Sequence, residues 1–146
     1  MKTAITFFLL AWFLPASAAV HRIDCPAEIK RDTIQIIRAP DGWTAFYPFA
    51  FQPGLPLNAA GVMLGPPSSM TMSKPTWIGV VKGRDAERWS KLAEGEKWMA
   101  CFYGDHGQHD AILSKPIDAD ATECTVTYPS KKRSEPIQII CTDDAG

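Results

Sequence analysis

Four cysteines, Cys25, Cys101, Cys124 and Cys141, set the strongest limit on what this 146-residue chain can fold into. Residues 1–19 decide what those cysteines become. They read MKTAITFFLLAWFLPASAA: Lys2, an apolar run from Ala4 to Leu14, then small residues of the kind that precede a signal-peptidase cut after Ala18 or Ala19. The apolar run is too short for a comfortable transmembrane helix. No cysteine lies at the cut to take a lipid, and no second long apolar run follows. The expectation is an exported, periplasmic protein that does not insert in a membrane after cleavage, with residues 20–146 as a single β-rich domain. In that compartment an even cysteine count reads as two disulfides.

Acidic and basic residues nearly balance, 16 against 15, so the basic surplus of a nucleic-acid binder is missing. The one basic cluster, Lys131 to Arg133, sits between serines and reads as a solvated turn.

Twelve prolines and ten glycines cut the chain into short segments. Extended segments are predicted at 32–39, 43–51, 59–65, 75–83, 110–117, 122–129 and 136–143, with 53–56 as loop. Residues 85–95 fit either a helix, through Ala86, Trp89 and Ala93, or a strand. The strand reading makes a hairpin that turns at AEGE (93–96) and pairs Trp89–Leu92 with Trp98–Tyr103. The fold class expected is mainly β, a small antiparallel β-sandwich or partly open barrel with two disulfides and little helix. Side chains alternate along a strand, which places Cys101 with Met99 and Tyr103, Cys124 with Val126 and Tyr128, and Cys141 with Ile137 and Ile139. Three pairings remain possible. The expectation is Cys101–Cys124, joining two late strands, and Cys25–Cys141, tying the N-terminus to the last strand.

The densest chemistry lies in KWMACFYGDHGQHD (97–110). His106 and His109, with Asp105 and Asp110, could offer metal ligands, but Gly104, Asp105 and Gly107 also make a polar turn, and the turn is the stronger reading. Export makes Cys101 a half-cystine rather than a nucleophile. The chain holds no C-x-x-C and no G-x-S-x-G, and the prolines of GPPSS (65–69) replace the N–H donors a phosphate loop needs. Glu94 and Glu96 fall in a turn. No catalytic residue and no cofactor is therefore expected. What remains is aromatic: Trp43, Phe46, Tyr47, Phe49 and Phe51, followed by Leu55 in a Pro-rich loop. One strand cannot bury Phe46 on the face of its odd-numbered neighbours, so this segment either fills both faces of a sandwich or supplies anchors to a protein partner.

The order of short motifs carries a resemblance: CP after the leader, DGW (41–43), GVMLGPPSSMTMSKP (61–75), the Trp89 segment, KWMACFYG (97–104) and a cysteine after ILSKPI (112–117). The chain resembles a family of small exported proteobacterial proteins, some encoded beside type VI secretion effectors. These are similar to periplasmic immunity proteins against L,D-transpeptidase-like, peptidoglycan-targeting effectors. The resemblance implies an inhibitor whose partner is a cognate toxin, with no enzymatic activity of its own. It also implies the strand reading for the Trp89 segment, paired with the strand around Cys101. The chain departs from the family in residues 43–57 and in its extension through Cys141. A small-ligand or envelope-component binding module is the alternative function.

Overall fold

The computed structural model describes residues 18–35, 39–42, 44, 53–105, 109–130 and 135–143. The apolar leader run, the aromatics Trp43, Phe46, Tyr47, Phe49 and Phe51, His106 and the basic cluster at 131–133 lie outside them.

Among the described residues, nine strands form two antiparallel sheets. They are β1 (Val20–Ile23), β2 (Glu28–Ile29), β3 (Leu55–Leu64), β4 (Trp77–Val81), β5 (Arg84–Ser90), β6 (Lys97–Tyr103), β7 (Ala111–Pro116), β8 (Ala121–Thr127) and β9 (Gln138–Asp143). One sheet runs β1-β9-β8-β5-β4, the other β2-β3-β6-β7. The β-rich expectation and the two disulfides hold, in an open sandwich rather than a closed barrel.

The sheets face each other through the alternation that the sequence displays. Val62 and Met99 from one sheet meet Trp89, Val126, Ile139 and the Cys124–Cys141 pair from the other. Each fully buried aliphatic side chain of this kind contributes about 1.5–3 kcal/mol. Trp89 keeps its polar tip satisfied, its indole N–H donating to the Ser73 carbonyl at 2.9 Å. Across the sandwich the Tyr128 hydroxyl donates toward the Ala60 carbonyl, 3.2 Å away, and lies 3.1 Å from the Glu87 carboxylate.

The expected hairpin between the Trp89 and Cys101 segments does not form. Segment 84–90 is a strand, but it pairs with β4 and β8, while β6 pairs with β3 and β7. Between Ser90 and Lys97 the chain crosses from one sheet to the other, helped by left-handed backbone at Lys91 and Gly95. Alternation cannot separate the two outcomes, because hairpin and crossing alike turn Trp89, Met99 and Cys101 inward.

The disulfides also differ from the expected pairing. Cys124 and Cys141 stand directly opposite each other on β8 and β9 and join within one sheet. Cys25, between β1 and β2, reaches across the core to Cys101 on β6. The expected Cys101–Cys124 link fails because those cysteines sit in different sheets at different places along the core. Two smaller corrections concern residues 31–33, a 3-10 turn where the strand 32–39 was expected to begin, and Leu55–Pro56, which start β3 rather than ending a loop.

Candidate functional site

One end of the sandwich gathers several segments that the sequence singles out. It is organised by Arg31, in the 3-10 turn after β2. The arginine is only 8% exposed. Its Nε donates to the Pro53 carbonyl at 2.8 Å, and its Nη2 pairs with the Asp105 carboxylate. Pro53 follows the aromatic stretch 43–52, and Asp105 opens the 104–110 tip. A single buried guanidinium therefore fixes the base of both. A planar fork of donors suits this task, since it can hold a carbonyl and a carboxylate at once.

The backbone beneath is equally constrained. β3 carries a register shift between Leu57 and Ala59, opposite Tyr103 and Phe102. The extra residue, Asn58, donates from Nδ2 to the Gly104 carbonyl at 3.3 Å. Gly104 N–H in turn donates to the Pro56 carbonyl, and Leu57 N–H to the Ala27 carbonyl. A bulge of this kind bends its strand and re-aims the side chains around it. Below lies a second apolar cluster of Leu55, Cys101 and Tyr103, packed by Cys25, Ile29, Ile34, Leu57 and Ala111. Burial pushes the Tyr103 hydroxyl up to about 12. That hydroxyl has no hydrogen-bond partner among the described residues.

Leu55, expected among the partner contacts, is 0% exposed at the centre of this cluster. It is a core residue and is withdrawn from the contact surface. Asp105 and His109 do not converge on a common point. The Asp105 carboxylate is taken by Arg31, and the exposed His109 ring leans on Phe102, with centroids 4.7 Å apart. Asp110 holds the turn through its N–H, which donates to the Tyr103 carbonyl. Among the described residues, no group of three or more His, Cys, Asp or Glu is gathered as metal ligands. The GPPSS loop sits at the opposite end of β3 and does not join the Arg31 end.

Arg31 and Asn58 were not singled out by sequence reasoning. Asn58 interrupts an otherwise apolar strand, and that interruption was a usable signal for a bulge. Arg31 carries no such mark, because its partners lie 22 and 74 residues away.

A second buried cation lies elsewhere. Lys97 occupies an inward position at the start of β6, 3% exposed, and its Nζ donates to the carbonyls of Ala93 at 3.2 Å and Ala119 at 2.7 Å. It ties the crossing before β6 to the turn before β8, at the floor of an open cleft of about 480 Å³. Its bonds are those of a structural clamp.

Fold and site together define a disulfide-braced β-sandwich whose buried charges hold loops in place. Residues 52–142 match the type VI secretion system Tli immunity protein family, and the chain belongs to that family. No curated protein and no solved structure matches it. The match runs through β9 and Cys141, so the C-terminal strand is part of the family pattern and not the departure expected. It begins at Gln52, which leaves the aromatic residues 43–51 outside it. Membership in an immunity protein family of type VI secretion systems implies a cognate effector as partner.

Proposed function

We propose that this immunity protein acts in the periplasm, where it binds its cognate effector stoichiometrically and blocks the effector's active site without chemistry of its own. Membership in the Tli immunity family over residues 52–142 is the observation that carries the reading. The leader sequence and the two disulfides support the compartment. The Arg31 end supports the surface: a preorganised base costs less to order on binding than a floppy one. Trp43, Phe46, Tyr47, Phe49 and Phe51, which precede Pro53 in sequence, are the proposed anchors. The effector class proposed from the resemblance is a peptidoglycan-targeting, L,D-transpeptidase-like enzyme.

The test is protection of cells that express a candidate cognate effector with export to the periplasm. Full-length chain is expected to restore growth, a version lacking residues 1–19 to fail, and Ala at Trp43 and Phe46 to weaken protection. Growth arrest in the presence of the full-length chain would refute the reading. Assays of the effector on purified peptidoglycan and on phospholipid vesicles decide its class. Release of fatty acids with intact peptidoglycan would replace the peptidoglycan assignment while leaving the immunity role in place.

A further inference from the structure

The two sheets end in four edge strands, β1 and β4 on one, β2 and β7 on the other. Exposed edges are normally protected by charge, proline, bulges or brevity. β1 carries His21 and Arg22, β7 ends in Lys115 and Pro116, and β2 has only two residues. β4 has none of these devices. It reads WIGVV and keeps an unbroken register with β5 from Trp77↔Arg88 to Val81↔Arg84.

The turn that follows fixes which backbone groups are free. Lys82 and Gly83 both have positive φ, 51° and 76°, the signature of a two-residue hairpin turn. In such a hairpin the flanking pair Val81↔Arg84 exchanges both hydrogen bonds, and bonded and non-bonded pairs then alternate. Gly79 and Trp77 therefore bond to β5. The N–H and C=O of Ile78 and Val80 point away from it, and no other described strand pairs on that side. Their side chains are 70% and 63% exposed. They share a face with Glu87 and the buried Val126, but project past the reach of the second sheet. On the other face Trp77 folds over Gly79, with the Arg88 guanidinium 5.2 Å from its ring centre. The strand thus presents an apolar rim and open backbone groups.

Charge selects the occupant. Exposed Lys74 and Lys91 lie near the start of β4, where Ser90 N–H donates to the Thr76 hydroxyl, and exposed Lys82 lies at its end. None of these lysines has an ion-pair partner among the described residues. Arg84 and Arg88 are already matched, by Glu135 and Glu123. Of the acids on the Ile78–Val80 face, Glu87 is engaged by Tyr128, which leaves Asp85. A second copy pairing antiparallel along β4 would bring Lys74 and Lys91 against Lys82 of its partner. A parallel pair would set each lysine near its own counterpart. Both arrangements place like charges together at the strand ends.

We infer that β4 is a docking edge for an extended strand of the effector, apolar at alternate positions and flanked by Asp or Glu, which adds to the five-stranded sheet. The inference rests on the immunity reading above and gives the effector a contact separate from the aromatic segment. The test is amide exchange followed by NMR in the free chain and in its complex with the effector. The Ile78 and Val80 amides should exchange freely alone and slow at least about tenfold in the complex. Val80→Pro, which removes an outward N–H without breaking the β5 ladder, and Ile78→Lys should each raise the effector Kd at least about tenfold with the fold intact. If wild-type chain binds the effector while those amides exchange at their free rate, the β4 assignment falls and the immunity role stands. If wild-type chain binds no effector, the immunity reading falls and takes this inference with it. Protection that rises with the chain's own concentration in the absence of effector would make the occupant a second copy, and would overturn the assignment.

Discussion

At the residue scale, the most informative side chains are polar groups placed where apolar ones would serve the core equally well. Arg31 and Lys97 are buried cations whose bonds run to backbone carbonyls and, for Arg31, one carboxylate. Both stitch together segments far apart in sequence. Tyr103 differs, since its buried hydroxyl has no partner among the described residues. A buried hydroxyl left unsatisfied costs about 1–3 kcal/mol. Tyr103→Phe should therefore leave stability unchanged or raise it by about 1 kcal/mol, as read from urea denaturation. The same residue sets a pH dependence. Its folded pKa of about 12 lies above the ordinary tyrosine value of 10.0, so the folded state holds its proton longer. Its contribution is fully present below pH 10 and is lost as pH rises through 10 to 12. Tyr103→Phe should flatten that alkaline loss, leaving the share due to Tyr128, whose hydroxyl is also pushed up by burial and by the Glu87 charge. An unchanged alkaline profile in the variant would contradict this account of the Tyr103 environment.

At the element scale, the two disulfides brace different things. Cys25–Cys101 spans 76 residues and joins the sheets, while Cys124–Cys141 spans 17 and joins neighbouring strands. Their loops do not overlap, so their effects on the unfolded chain are separable. In the chain-entropy model the first contributes about 4–5 kcal/mol and the second about 3 kcal/mol. Replacing Cys25 and Cys101 by Ala should thus cost more in denaturant unfolding than replacing Cys124 and Cys141. The reverse order would mean that strain or residual unfolded structure outweighs loop length. The longer bridge also sits in the cluster beneath Arg31, so its loss should loosen that end first. Strand positions were readable in the sequence because alternation and Pro/Gly punctuation are local signals. β4, β7, β8 and β9 fall where VV, IL, TVT and II runs lie between turn residues. Sheet assignment was not readable. Whether Ser90–Lys97 turns back or crosses over depends on which neighbour captures β5, and β8, some thirty residues later, does so through Trp89↔Cys124 and Val126↔Glu87. The disulfide pairing was not readable either, because Cys141 is set opposite Cys124 by the β8–β9 register and Cys25 lies in a connection, outside any strand whose alternation could place it.

At the scale of the whole molecule, the sandwich offers two features that the core does not require. One is the Arg31 end, which fixes the base of an aromatic segment outside the family match. The other is the bare β4 edge. Of the candidate site, only the turn at 104–110 was legible in sequence, since Gly104 and Asp105 announce it by composition; the aromatic segment 43–51 lies almost wholly outside the described residues. β4 was visible as a strand but not as an edge, because an edge is a property of the sheet. Leu55 was misread for the opposite reason: next to prolines it looks like loop, and only its pairing with Ile29 reveals it as core. The role proposed for this immunity protein is to inactivate its cognate effector by binding it, with no catalysis of its own. Titrating purified, disulfide-bonded protein into a fixed amount of the effector and following the effector's hydrolytic or transpeptidase activity tests this most directly. The account predicts a linear loss of activity that reaches zero at one equivalent. Activity that persists at a large excess, or inhibition at far below one equivalent, would contradict it.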